Sequence, residues 1–306
     1  MSLTSFLKNR DVEERFLSEF PKPRFELAGE LLAPPRSKRY SLVGTAFDYL
    51  IRFHLKHKHP RAVECRWIAY GALRFLGMES DEREFVEIDR EGRFDPAPTE
   101  YVPKSGYKKV FHKAENILAE AQARYSHFLH SGQLNDALIK SSIQLAQLDL
   151  IFRSRYVDGT LGRVYKEDIE DLKQLMAVMN LTLLEARRTC ILNPGFGASG
   201  FVGGADADIV IDNALIEIKT TMHLRLNRRH FNQLIGYYVL SRIGGISSFP
   251  SRQKIHELGI YYARHGKLYT FPVETVVDEK RWPSFIRWFK KRAAERLRKG
   301  IHFNYK

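Results

Sequence analysis

Cysteine is nearly absent. Cys65 and Cys190 are the only two among 306 residues, too few for a disulfide framework and not in a Cys-x-x-Cys pair, so a reducing cytoplasm is the expected setting. No apolar run approaches eighteen residues, and the N-terminus MSLTSFLKNRDVEERF lacks an apolar signal core; a soluble chain with no membrane partner is expected. No internal repeat appears, and no Ser, His and Asp arrangement has a spacing that argues for a triad. With 44% hydrophobic residues there is no disorder signature, and the length allows one large or two medium domains with a proper core.

Negative charge is scarce in one part only. The net charge of +13 lies entirely beyond residue 222: residues 223–306 carry 18 Lys plus Arg against 5 Asp plus Glu, while the preceding residues balance at 31 of each sign. Such an asymmetry favours a polyanionic partner, because Lys and Arg contacts to phosphate supply most sequence-independent nucleic-acid affinity. Two clusters contribute. HLRLNRRH contains Arg225, Arg228 and Arg229, and RWPSFIRWFKKRAAERLRKG pairs an apolar stripe (Phe285, Phe289, Ala293, Leu297) with a face bearing Lys290, Lys291 and Arg298. A solvated helix face is the ordinary explanation of such a run; DNA contact is the functional one, with membrane binding by the same helix as its rival.

Along the chain, Met1 to Arg39 reads as a short helix followed by proline-punctuated segments, an arm or strap. Residues 40–188 read as mainly helical: helices over 40–57, 60–77, 109–131, 134–152 and 166–188, with a surface loop from 79 through the DPAPTEYVPKSG segment. After Arg188 the pattern changes to strands at 206–212, 214–220, 258–264 and 267–272, with a helix from Arg228 to Arg242 between the pairs.

The chemistry concentrates in GGADADIVIDNALIEIKTT, Gly203 to Thr221. Alternation predicts two half-buried strands, with Ala207, Ile209 and Ile211 on one face and Asp206, Asp208 and Val210 on the other. A two-residue turn at Asp212-Asn213 sets Asp208 opposite Glu217 and Asp206 opposite Lys219. Ile209, Ile211, Ile216 and Ile218 hold the opposite face. Crowding ionisable groups on one patch is costly without a compensating cation. Mg²⁺ or Mn²⁺ suits two carboxylates plus the backbone carbonyl of Ile218, and Lys219 is placed to orient or deprotonate an attacking water.

Asp208 followed by Glu217-Ile218-Lys219 resembles the PD-(D/E)XK nuclease superfamily, and Gln233 and Tyr237, four apart on one helix face, resemble the Gln-x-x-x-Tyr motif of its RecB and lambda-exonuclease branch. Gly44 to Asp48 resembles that branch's Gly-x-x-x-His helix, with Asp48 in place of the His. The resemblance covers Gly203 to about Leu240 strongly, with the weaker match at Gly44. It implies an α/β (α+β) fold, a restriction-endonuclease-like core sheet flanked by helices, over 189–306, with 40–188 as an N-terminal or inserted helical region (40–57 joining the core).

It further implies a Mg²⁺-dependent deoxyribonuclease: Asp208, Glu217, Lys219, Gln233 and Tyr237 catalytic, and Asp208, Glu217, Ile218, Asp206 and Asp48 toward the metal. Processing of DNA ends or single strands in repair, recombination or defence against phage and plasmids is the implied role. RNA is not excluded. Alternatives are a catalytically silent nucleic-acid-binding module of the same fold and a restriction-like, sequence-specific endonuclease. The acidic hairpin with a solvated face, followed by an ordinary amphipathic helix, is the structural explanation against which these stand.

Three lesser features carry no function here. Gly195-x-Gly197-x-x-Gly200 matches a dinucleotide fingerprint, but a strand rather than a helix follows it. It reads as a Gly-rich connection or a loop closing over substrate. His54, His57 and His59 lie at a basic helix end, where Lys56 and Lys58 oppose metal binding. Cys65 and Cys190 read as packed small side chains.

Overall fold

A computed structural model describes residues 2–79, 101–250 and 253–303, with the side chains of Glu79 and of 297–303 outside the description. The chain opens with two short helices, α1 (Leu3–Phe6) and α2 (Arg10–Glu19). An extended strap then follows the sheet edge, where Tyr269 Oη donates to the Arg24 carbonyl and the Leu32 and Ala33 N–H groups donate to the Arg264 carbonyl. Helix α3 (Tyr40–Lys58) leads to a two-residue strand β1 (Val63–Glu64), α4 (Gly71–Leu76) and the small ribbon of β2 (Gly77–Glu79) with β3 (Tyr101–Pro103). Three helices follow: α5 (Lys108–Ser131), α6 (Asp136–Ser154) and α7 (Lys166–Ala177). The rest comprises β4 (Cys190–Leu192), β5 (Ile209–Ile211), β6 (Ala214–Lys219), α8 (Arg228–Gly244), β7 (Glu257–Tyr262), β8 (Lys267–Pro272) and α9 (Trp282–Phe303).

The fold is mixed α/β. Six strands form one sheet in the order β1-β4-β5-β6-β7-β8, with β1/β4 and β6/β7 parallel and the other pairs antiparallel. Parallel pairing of β6 with β7 requires a long crossover, which α8 supplies. Helices α3, α5, α6 and α7 share one apolar cluster with Ile209, Ile211, Ile216 and Ile218; α1, α2, α8 and α9 share the cluster on the opposite sheet face with Val210, Leu215 and Ile260. The two apolar faces leave β6 buried from Ala214 to Ile218, so Glu217 has no route to bulk water along its own strand. Among the described residues no helix is long and apolar enough to cross a membrane.

Several sequence expectations are corrected. The 60–77 helix is instead β1, a 3-10 turn at Ile68–Tyr70 and α4, because Val63 and Glu64 pair with Ile191 and Leu192 and Cys65 N–H donates to the Leu192 carbonyl. Tyr101–Pro103 and Glu79 are in strands rather than loop, and residues 80–100 of the proposed loop lie outside the described residues. The 166–188 helix stops at Ala177; Asn180 then caps a separate 3-10 turn, its side chain accepting the Thr182 N–H. Ala207 packs with Val210 and Leu215 rather than on the face of Ile209, since alternation breaks at Asp208.

Candidate active site

The hairpin turn falls as the spacing predicts. Ile211 pairs with Ala214 and Ile209 with Ile216, so Asp212-Asn213 is the whole loop and Asp208 projects across from Glu217. Beyond Ile209 the ladder ends, for a local reason: Asp208 Oδ2 accepts the Ile218 N–H at 2.6 Å, and a side chain takes over a bond that a paired strand would make. The polypeptide before it turns away, bridging Asp206 to Gly195. Asp206 therefore does not face Lys219. It accepts from Arg153 Nη2 at 3.0 Å instead.

Strand β6 and helix α8 bring the other groups together. Lys219 Nζ donates to Glu217 Oε1 at 2.6 Å and to Gln233 Oε1 at 3.0 Å; Gln233 Nε2 donates to Glu217 Oε1 and to Tyr237 Oη, both at 2.8 Å. Residues four apart on a helix share a face, and here that face lies on the β6 carboxylate. Phe196 stacks on the Tyr237 ring with centroids 5.5 Å apart. Its segment is a packed connection, since a Cβ on Gly197 would meet the Gly244 carbonyl oxygen at 2.3 Å.

A cavity of about 200 Å³ is lined by Ser2, Leu3 and Thr4, by Arg153, and by Asp206, Asp208, Glu217, Gln233 and Tyr237 among others. Lys219, 20% exposed, reaches this space only through Glu217 and Gln233 and does not line it. A larger, mainly apolar cavity of about 1080 Å³ lies among the start of α3, α6 and residues 156–168, and contains none of these carboxylates.

Asp48 stands behind the cavity on α3. Gly44, one turn earlier, makes the approach possible: a Cβ there would sit 2.8 Å from Thr220 Oγ1, just past β6. The Asp48 carboxylate pairs with the buried Arg52, its Oδ1 is buried with no partner, and its field is felt at both Asp208 and Glu217.

Burial, the mutual repulsion of these acids and the weaker pull of the cations set the protonation balance. Burial first, then the charges of Glu217 and Asp48, push Asp208 well above the usual carboxylate range; burial also raises Glu217 and Asp48 against the opposing pull of Lys219 and Arg52. Asp149 on α6 is pushed up to about 6 by burial. Burial works against the charge on Arg153, but Asp206 and Asp149 outweigh it and hold the guanidinium above its ordinary value. Tyr237 is held neutral by burial and by the carboxylates it faces.

Five carboxylates (Asp48, Asp149, Asp206, Asp208 and Glu217) thus meet three cations, Arg52, Arg153 and Lys219. Glu217 Oε2 and Asp48 Oδ1 are buried without a partner. With all five ionised, the carboxylates outnumber these cations by two, a balance that a hard divalent cation would meet. The side chains are not drawn into a tight ligand shell, and among the described residues no three His, Cys, Asp or Glu form one. Ile218 contributes its N–H to Asp208, and its side chain packs on the opposite sheet face.

The basic residues divide. Arg225 and Arg229 are exposed and, with Lys219, join burial in pushing the neighbouring His230 down to about 4. Arg228 turns inward, donating to the Phe20 carbonyl at 2.9 Å and lying over Phe231. Lys290 and Lys291 are exposed on α9, whose Phe285, Phe289 and Ala293 are buried against the α2 side of the core. The Arg298 side chain lies outside the described residues. Sequence reading missed Asp149, Arg52 and Arg153; the available signal was a charged residue, Asp149, inside a helix otherwise buried on most sides. Comparison with protein-family models, curated proteins and solved structures finds no match.

Proposed function

We propose that this protein is a divalent-metal-dependent nuclease of the PD-(D/E)XK kind, hydrolysing DNA phosphodiester bonds, with ends or single strands as its substrate. The observation that carries the reading is that Asp208, Glu217 and Gln233 line one cavity, with Lys219 hydrogen-bonded behind Glu217 and Gln233 and with carboxylate oxygens left without a partner.

Asp208 and Glu217 would hold Mg²⁺ or Mn²⁺, with Asp206 and Asp48 as further donors; such an ion, when bound, polarises the phosphoryl oxygens and supports nucleophilic water at neutral pH. Lys219 is kept beside Glu217 by Gln233; these bonds use two of its three ammonium N–H groups and leave the third to orient the attacking water. The water oxygen then bonds to phosphorus as the bond to the leaving sugar oxygen breaks; the water gives its proton to solvent, and the leaving oxygen takes one from solvent. Tyr237 fixes Gln233 through its hydroxyl, and Phe196 fixes Tyr237. Arg225 and Arg229 lie where flanking phosphates would pass.

The test is incubation of linear and covalently closed circular DNA with Mg²⁺, Mn²⁺ or EDTA. Metal-dependent loss of linear DNA alone supports an end-dependent nuclease; cutting of circles moves the assignment to an endonuclease. Salt-sensitive DNA binding without cleavage would replace it with a silent binding module.

A further inference from the structure

Among the described residues Arg153 is the one guanidinium in the wall of the acidic cavity, and it arrives from neither the sheet nor α8 but from the last turn of α6. Two carboxylates hold it. Nε donates to Asp149, one helical turn earlier and 3% exposed, and Nη2 donates to Asp206 Oδ2 at 3.0 Å. The side chain is nevertheless 50% exposed, and Nη1 makes no hydrogen bond among the described residues. The group is thus fixed at its base and open at its tip. Lys219, a second cation near the cavity, does not line it and has two of its three ammonium N–H groups committed to Glu217 and Gln233.

A buried carboxylate that aims a permanently charged, planar fork into a cavity lined by Asp208 and Glu217 does more than neutralise Asp206. Neutralisation alone would be met by any ammonium, whereas two parallel N–H donors match the non-bridging oxygens of a phosphodiester. Charge that builds on those oxygens during phosphoryl transfer is what such a donor stabilises.

We propose that Arg153 is the phosphate-gripping catalytic residue of this site, its outer guanidinium edge meeting the non-bridging oxygens of the phosphodiester placed at Asp208 and Glu217, with Asp149 as its positioning residue. The inference rests on the phosphodiesterase reading above and names a substrate contact that reading lacks. Asp206 competes with the phosphate for Nη2, so substrate entry exchanges one acceptor for another.

The test compares wild type with Arg153→Ala and Arg153→Lys, all first matched by thermal melting. With Ca²⁺ in place of Mg²⁺ to offset the carboxylates, the slope of log affinity for a short DNA duplex against log salt should become shallower by about 0.9 in Arg153→Ala, the loss of one phosphate contact, and stay near wild type in Arg153→Lys. With Mg²⁺, kcat should fall about 10²–10³-fold in Arg153→Ala, recover partly on adding guanidinium ion at low millimolar concentration, and recover only in part in Arg153→Lys. A purely structural arginine would shift melting without moving the salt slope or responding to guanidinium. Unchanged slope and unchanged kcat in Arg153→Ala, with an active wild type, overturn the proposal and leave the nuclease reading standing. A wild type that neither binds nor cuts DNA removes both.

Discussion

Asp208 Oδ2 accepts the backbone N–H of Ile218 at 2.6 Å, one position past the last ladder pair of β5 and β6. That bond ends β5 and fixes a carboxylate beside Glu217, and it costs a buried charge among other carboxylates. Asp208→Asn keeps an acceptor for the N–H and removes the charge. In EDTA the variant should be more stable than wild type by about 0.5–2 kcal/mol, while Mg²⁺ should no longer raise its melting temperature as it does for wild type. Melting curves with and without Mg²⁺ check both halves.

Stability of the metal-free protein should fall as pH rises. Asp48, Asp208 and Glu217 are raised above the carboxylate range and Asp149 to about 6, so between the unfolded values and these raised values the folded state holds protons that the unfolded state has released. Their stabilising protonation is complete at the acid end and is lost upward through about pH 4 to 6 and beyond. Asp11, Asp158 and Glu279 have lowered values and act in the opposite direction at more acid pH, while His230, pushed down to about 4, and His54, lowered by burial, oppose the trend below about pH 6.5 but are outnumbered by the four raised acids. Urea midpoints in EDTA should decline across pH 5 to 7, and Mg²⁺ should flatten that decline. A rise across the same window contradicts the protonation balance described.

Gly44→Ala should loosen the α3 contact with the end of β6. The added Cβ meets Thr220 Oγ1 at 2.8 Å. Overpacking of this size costs about 1–3 kcal/mol, against about 1 kcal/mol regained in helix propensity. The expected net result is lower stability and weaker Mg²⁺ binding through displaced Asp48. Thr220→Ala in the same chain should restore both, and a double-mutant cycle reads that coupling.

Gln233→Ala removes the bridge that holds Lys219 and Glu217 in one geometry. A loss of about 10–100-fold in kcat is expected, with KM little changed because no substrate contact is deleted. Tyr237→Phe removes only the Gln233 acceptor and should cost less. Steady-state kinetics on a linear duplex separates the two variants.

The site's central part was legible because it is local. Strict alternation, a two-residue turn and a 3.6-residue pattern brought Asp208, Glu217, Gln233 and Tyr237 together over thirty residues of chain. The register of Ile209 with Ile216 followed from those alone. Asp206 was misplaced because the expectation continued the ladder past Asp208, where a side-chain hydrogen bond had already replaced it. Strands β1 and β4, two and three residues long, owe their strand character to each other and to β5 rather than to any pattern of their own. Arg153 and Asp149 lie more than fifty residues from Asp206 and reach it only through the packing of α6 on α3, which no periodicity encodes.

The most direct measurement is cleavage of linear DNA by wild type and Lys219→Ala, side by side in Mg²⁺ and in EDTA, with both proteins shown to be folded by circular dichroism. The account predicts cutting by wild type in Mg²⁺ only, and a fall of about 10²–10⁴-fold in the variant. Equal cutting by both proteins, or cutting that persists in EDTA, would contradict a metal-dependent site built on Asp208, Glu217 and Lys219.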